Sequence, residues 1–253
     1  MMTLKRRPKS KVYKRWKPAP WLCWEPVNIR FSVCQLGITT NKLIFIPYIC
    51  LLKITVQHIS KRFGEEVLFD ALSLGFDTPS STALLGINGS GKSTLLQLIA
   101  TYIVPSKGEV IYEHEGQVLD PDLIFNHISF CAPYLELIEE MTLKEFLDYH
   151  FTFKTPLLPI DEIIRYIGLD ASKDKLIEKF SSGMKQRVKL AQAIFSDTAA
   201  VFLDEPCTNL DENGIALYHR MIEGFCRHRI LLVASNDKNE YDVCETMHRV
   251  GSK

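Results

Sequence analysis

Three short stretches carry side chains whose types and spacing could handle a phosphorylated ligand. The first is Gly86-Ile87-Asn88-Gly89-Ser90-Gly91-Lys92-Ser93-Thr94, which fits the spacing G-x-x-x-x-G-K-[ST]. Its glycines allow a tight turn that points backbone N–H groups inward, and a helix beginning at the lysine adds its positive dipole end. Lys92 is expected to reach the β- and γ-phosphates of a nucleotide, and the Ser93 hydroxyl to ligate Mg2+. Gly86, Asn88, Gly89, Ser90, Gly91 and Thr94 complete the cradle. The second stretch, Ala200-Val201-Phe202-Leu203-Asp204-Glu205-Pro206, is four apolar residues, two acids and a proline. In this pattern Asp204 would hold Mg2+ and Glu205 would polarise a water attacking the γ-phosphate. Taken alone, Asp-Glu after a strand is as often a solvated turn. The third, Phe180-Ser181-Ser182-Gly183-Met184-Lys185-Gln186-Arg187, is a serine/glycine turn opening a helix, hence a second anion-binding start. A simple N-cap by Ser181 or Ser182 would explain it equally well.

The flanking segments suit these roles. Thr82-Ala83-Leu84-Leu85 is a short apolar run fit for a buried strand, and Lys92–Thr101 has apolar residues at helical spacing. Lys53–Phe63 alternates in part, Val67-Leu68-Phe69 begins another strand, and Leu72–Phe76 alternates again, which predicts an antiparallel layer leading into the glycine-rich loop. Strands are predicted at 108–112, 128–131 and 230–234. Residues 140–180 read as mostly helical, with Thr142 capping Leu143–His150 through a capping box with Glu145, and a helix over 160–167 stopped by Gly168.

Composition narrows the class. Of 30 basic and 30 acidic residues, ten and one fall in residues 1–52, leaving 20 and 29 in residues 53–253. A body that acidic offers no nucleic-acid footprint, and no nucleic-acid partner is expected. Residues 1–52 are basic, rich in proline and tryptophan and without periodicity, so they are expected to be an extension outside the fold. The seven cysteines are scattered without metal-ligand or disulfide spacing, which favours a reducing compartment. The longest apolar candidate, Leu43 to Leu52, is too short to span a bilayer and contains Pro47. Work at a membrane would need a partner that spans it. His58, His114 and His127 lack ligand companions, and Met184 and Cys207 read as packing residues.

The ordered set from Lys53 onward resembles the nucleotide-binding domain of ABC-type ATPases, of the compact single-domain type. FSSGMKQR looks like the LSGGQ signature of that family, with Ser182 for its first glycine and Met184 for its glutamine. Pro206-Cys207-Thr208-Asn209-Leu210-Asp211 looks like the D-loop, and Phe63 falls where the family stacks an aromatic on adenine. The resemblance implies an α/β P-loop domain: a mixed or parallel sheet core, an antiparallel β-subdomain and a helical, signature-bearing arm over residues 134–185. It implies ATP and Mg2+, and a head-to-tail homodimer in which the loop of one chain and Ser181, Ser182, Gly183, Met184 and Asp211 of the other enclose ATP. It also implies a separate membrane-spanning transporter subunit, and a cytoplasmic place on the inner face of the membrane. Two positions depart from the family. Ser235-Asn236-Asp237 puts Asn236 where a switch histidine belongs, and Ala132-Pro133-Tyr134 stands where a glutamine senses Mg2+. Asn236 can donate a hydrogen bond but cannot become cationic, so slow hydrolysis is expected. A regulatory ATP-gated clamp, or an ATPase of iron–sulfur cluster assembly, is the competing reading. A chromosome-type ATPase would need a long heptad insert, and a translation-factor type a second domain; residues 53–253 contain neither.

Overall fold

The computed structural model describes residues 51–251, so the expected basic extension lies outside the described residues except for Leu51 and Leu52. The first strand, β1 (Leu52–Phe63), begins one residue before the expected boundary at Lys53. Leu52 is buried, and it exchanges hydrogen bonds with Thr78: its N–H donates to Thr78 Oγ1, and its carbonyl accepts the Thr78 N–H. The strand could not begin later without leaving that hydrophobic position empty.

Two sheets form. One is antiparallel, in the order β2 (Glu66–Asp77), β1, β4 (Lys107–His114), β5 (Gln117–Val118). The sequence reads 67–76 as two strands, but β2 is one. The break in alternation is a bulge: the register against β1 shifts between Val56 and Lys61, with His58 at φ 47° and Ala71 at φ 52°. Ser60 stitches it, its Oγ accepting the Ala71 N–H at 3.0 Å and donating to Asp70 Oδ1 at 3.2 Å. An extra residue absorbed in this way re-aims side chains without ending the strand.

The second sheet has five parallel strands in the order β6 (Ile128–Cys131), β7 (Ala200–Asp204), β8 (Ile230–Ala234), β3 (Ser80–Leu85), β9 (Thr246–Arg249). Its inner strands β7 and β8 are buried along their whole length, as their continuous apolar runs require when both faces are covered. Alternate residues face opposite cores. Phe202 and Leu232 pack with α1 (Lys92–Ile99) and the antiparallel sheet, while Val201, Leu203 and Val233 pack with the helices on the other side.

Those helices are α3 (Leu143–His150), α4 (Ile160–Tyr166), α5 (Ser182–Ile194) and α6 (Glu212–Phe225); α2 (Ile124–His127) and α7 (Lys238–Tyr241) are single turns. The capping box at Thr142 and Glu145 forms as expected. The stretch 140–180 holds less helix than expected. Pro156, Pro159 and Gly168 confine it to α3, α4 and two 3-10 turns at 170–172 and 177–179. Leu143, Leu147, Ile163, Ile164 and Ile167 still seat the arm on Val188 and Ile194 of α5. The sequence did not announce α6, α2, α7 or the edge strand β9. No helix among the described residues is long and apolar enough to cross a membrane.

Candidate active site

The parallel sheet brings the chemistry to one edge. Asp204 of β7 pairs with Ala234 of β8, and Ala234 with Leu84 of β3, so all three strands end in one row. The glycine-rich loop, Glu205 and the Ser235–Asp237 turn therefore emerge side by side, at the carboxyl ends where open α/β sheets bind ligands.

Close packing shapes the glycine-rich loop. Gly91 sits in the left-handed region at φ 94°, and a Cβ there would lie 2.7 Å from both Leu68 and Phe69 of β2. Gly86 is squeezed as well: a Cβ would meet Ser90 Oγ at 2.5 Å and the Val250 carbonyl at 2.6 Å. Lys92 is buried and folds back on the loop, donating to the carbonyls of Gly86 at 2.7 Å and Ile87 at 3.3 Å. Phosphate oxygens would displace those carbonyls as its acceptors.

The Ser93 hydroxyl, in the first turn of α1, lies beside the Asp204 carboxyl, while Asp204 Oδ1 is buried with no partner. Burial pushes the Asp204 carboxyl up to about 6, with the Glu205 charge adding to it and the Ser93 hydroxyl and the Lys92 charge opposing. An orphaned buried carboxylate oxygen beside a hydroxyl suits a hard cation with oxygen ligands. Ser90 Oγ is likewise buried without a partner. No group of three or more His, Cys, Asp or Glu among the described residues could cage a metal. A cation at Ser93 and Asp204 would thus take its other ligands from substrate and water, as Mg2+ commonly does.

Glu205 is exposed and held at φ 42°, with its N–H bonded to the Ala234 carbonyl at 2.9 Å. A non-glycine residue in that region is strained by about 1–3 kcal/mol, a feature that gathers at functional sites. Asn236 reaches across to the loop. Its Oδ1 accepts the Gly86 N–H at 3.3 Å, and its Nδ2 donates to Asn88 Oδ1 at 3.0 Å.

Other expected site residues lie apart from this cluster. Phe63 is exposed at the end of β1, with Lys61 Nζ 5.1 Å from its ring centre. Ser181 caps α5, accepting the Met184 N–H at 3.2 Å, and Ser182 is exposed beside it. Met184 packs partly on the core. A Cβ on Gly183 would lie 3.0 Å from the Asn209 carbonyl, so the α5 start abuts the turn after β7. Asp211 is occupied locally, accepting the Gly214 N–H at 2.8 Å and pairing with Arg187 at 3.3 Å. Cys207 is buried and its thiol pushed well up by that burial, which fits packing rather than reactivity.

The structure adds residues that no sequence motif marks. Tyr134, in the loop without glutamine, lies near the side chain of Gln97 on α1, one turn beyond Ser93. Burial, reinforced by the Asp204 charge, pushes its hydroxyl up to about 12. Lys189 holds the same loop through the Pro133 carbonyl at 2.7 Å. Glu240, on α7, is buried, and that burial raises its carboxyl above the usual range. In sequence it lies among Asp237, Asn239 and Asp242 and looks like one more solvated acid.

A glycine-rich loop between β3 and α1, with carboxylates at the end of a neighbouring parallel strand, defines the class of P-loop nucleotide-binding proteins. Within that class, the family model described as ABC transporter matches residues 69–208, and the chain belongs to this family, among its ATP-binding proteins. It is similar to the uncharacterised ABC transporter ATP-binding protein YybJ of Bacillus subtilis (strain 168): 32% identical over 197 residues, covering 74% of this chain and 87% of that one. It is 28% identical over 168 residues to the daunorubicin resistance ATP-binding protein DrrA3 of Streptomyces coeruleorubidus, covering 64% of this chain and 53% of that protein. It is also 28% identical to the Fe(3+) ions import ATP-binding protein FbpC of Fusobacterium nucleatum, covering 62% and 44%. The chain thus spans about half the length of the latter two. Among solved structures, a dimeric ATP-binding cassette in a post-hydrolysis state with ADP and Pi superposes with TM-score 0.67 at 19% identity, covering 78% of this chain and 94% of that one. A bacterial Atm1-family ABC exporter with ATP bound gives 0.68 at 16% identity, covering 85% of this chain and 38% of that one. At such identities these two speak for the fold.

Proposed function

We propose that residues 53–253 bind Mg2+·ATP and hydrolyse it to ADP and phosphate, and that closure of a head-to-tail homodimer on ATP drives a separate membrane-spanning transporter subunit. One observation carries the reading: the register-matched ends of β3, β7 and β8 set Lys92 and Ser93, Asp204 and Glu205, and Asn236 around one point, with Asp204 Oδ1 bare beside Ser93. The loop amides of Gly86–Thr94 and Lys92 take the β- and γ-phosphates, while Ser93 and Asp204 hold the cation. A cation held by Ser93 and Asp204 would supply charge neutralisation to the phosphoryl group. Glu205, exposed at the end of β7, accepts the proton of the attacking water. Asn236 donates to a γ-phosphate oxygen after leaving Asn88. Phe63 stacks on adenine. Ser181, Ser182, Gly183, Met184 and Asp211, spent on no contact with the glycine-rich loop of their own chain, serve the nucleotide of the second copy. The names of the relatives, which speak of import and of drug resistance, support transport as the output, with the chain on the cytoplasmic face through its partner.

A second reading is favoured by Asn236 and by the Ala132-Pro133-Tyr134 loop, which stand where the family keeps two groups used in turnover: a slow, ATP-gated clamp that regulates its partner. Phosphate release with Mg2+ and ATP decides. The engine requires release that vanishes with EDTA and in Lys92→Ala. ATP-dependent thermal stabilisation without release would select the clamp, and neither stabilisation nor release would sink both.

A further inference from the structure

Glu240 belongs to no role assigned above, yet it is the most engaged carboxyl near the site. Its Oε1 accepts the N–H of Cys207 at 2.6 Å, in the turn that leaves Glu205. Its Oε2 accepts the hydroxyl of Ser235, the residue before Asn236. Its backbone carbonyl accepts the Tyr218 hydroxyl from α6 at 2.7 Å, which fixes the short α7 in place. Ser235 Oγ in turn accepts the Asp237 N–H at 2.8 Å, closing the turn around Asn236. One side chain thus ties the loop of Glu205 to the loop of Asn236.

The link extends in both directions. Upstream, Gln186 on α5 donates to the Pro206 carbonyl at 2.7 Å, so the helix opened by Ser181 and Ser182 holds the residue next to Cys207. Downstream, Asn236 holds Gly86 and Asn88 of the glycine-rich loop. Hydrogen bonds therefore run without a gap from α5 through Pro206–Cys207, Glu240 and Ser235–Asn236 to the phosphate cradle. All of the central groups are buried: Gln186, Cys207, Ser235 and Glu240. A buried polar network that is fully paired rigidifies the elements it joins, and a missing member leaves its neighbours unpaired at full desolvation cost.

We propose that Glu240 is a positioning residue for hydrolysis, clamping the Glu205 loop and the Asn236 loop into one unit so that base and γ-phosphate contact stay in mutual register. The proposal rests on the assignment of Glu205 and Asn236 above. It requires only the two hydrogen-bonded contacts, to Cys207 and to Ser235, not the charge. A glutamine can accept from Cys207 through its carbonyl and donate to Ser235 Oγ through its amide, whereas an alanine orphans both. Because Glu240 touches no residue of the glycine-rich loop, its loss should spare ground-state nucleotide binding.

The test compares Glu240→Ala, Glu240→Gln, Ser235→Ala and, as a destabilised core control remote from the link, Ile164→Val. Two readouts are taken on the full chain: amide hydrogen exchange in 206–210 and 235–239 without nucleotide, and steady-state ATP turnover. Glu240→Ala should speed exchange in both loops together by tenfold or more, and lower kcat at least tenfold with KM within about twofold. Glu240→Gln should keep all of these within about threefold. Ser235→Ala should loosen only 235–239 and lower kcat. Ile164→Val should change neither loop. The proposal is overturned if Glu240→Ala loosens only one loop, if Glu240→Gln behaves like Glu240→Ala, or if KM rises as kcat falls. Should Glu240→Ala not fold, the decision passes to the other two variants: a tenfold loss of kcat in Glu240→Gln, or an unchanged 235–239 loop in Ser235→Ala, overturns the proposal. Should the wild type release no phosphate, the hydrolysis reading fails, and exchange alone judges the clamp.

Discussion

Asp204→Asn should make the metal-free protein more stable at neutral pH while abolishing its response to Mg2+·ATP. Asp204 is 2% exposed, and burial lifts its carboxyl from the ordinary 3.8 to about 6. The sign follows from linkage. Between those values the folded state holds a proton that the unfolded state has lost, so this group favours folding at low pH and the advantage is lost as pH rises through 6. Above both values the folded state bears the full cost of a buried, half-paired anion. A displacement of about two pH units at about 1.4 kcal/mol each is ~3 kcal/mol. Asparagine keeps an oxygen for Ser93 but brings an amide N–H2 without an acceptor, which returns about 1–2 kcal/mol of that gain. The net is ~1–2 kcal/mol, or roughly 2–8 °C in Tm for a domain of this size. Thermal melts in EDTA at pH 7.5 and pH 5 should show the variant above wild type at the first and level with or below it at the second. With Mg2+ and ATP added at pH 7.5 the order should reverse, because only the wild type offers an anionic ligand beside Ser93. If the variant melts lower in EDTA at both pH values by the same margin, Asp204 is not a strained anion held ready for a cation, and the metal assignment loses its ground.

Other outcomes follow from the same geometry. Glu205→Gln should retain ATP affinity but stall phosphate release, and on a sizing column an ATP-dependent dimer should accumulate; wild-type turnover would remove Glu205 from the mechanism. Asn236→Ala should slow turnover roughly ten- to a hundredfold, on the order of 1.5–3 kcal/mol, with little change in KM, while Asn236→His should raise kcat. Steady-state rates equal to wild type in Asn236→Ala would place the switch elsewhere. Gly91→Ala should cost at least ~1–3 kcal/mol in stability and impair ATP binding, because its Cβ would meet Leu68 and Phe69 at 2.7 Å at a φ of 94°. A melt within a degree of wild type would show that β2 yields there.

What the sequence disclosed followed from local chemistry. The glycine-rich loop between strand and helix, the carboxylates after a continuous apolar strand and the capping box at Thr142 are each written in fewer than ten consecutive residues, and each element forms where its pattern stands. Boundaries are legible where a breaker stands next to a buried run, as at Pro133 after β6. The bulge in β2 is not, because the residue that stitches it, Ser60, lies on another strand. Nor is the role of Glu240, whose bond to Cys207 spans 33 residues. Local patterns cannot reveal a side chain whose meaning is set by a distant partner.

The two departures from the family pattern can be understood in that light. Both Asn236 and Tyr134 stand on loops beside the expected γ-phosphate and cation, and neither is left idle. Asn236 is shorter than histidine but gains two bonds to the glycine-rich loop itself, an amide oxygen to Gly86 and an amide nitrogen to Asn88. The loop of Tyr134 is held by Lys189 through the Pro133 carbonyl at 2.7 Å. Asn236 thus fastens its loop to the glycine-rich loop, and Lys189 of α5 fastens the other. If the chain binds ATP as proposed, the nucleotide would have to displace Asn236 from Asn88, and Lys92 from the Gly86 and Ile87 carbonyls. Under the proposed function those bonds would oppose ATP entry and re-form once phosphate leaves. The engine and clamp readings therefore meet at Asn236, and the turnover of its alanine and histidine variants separates them.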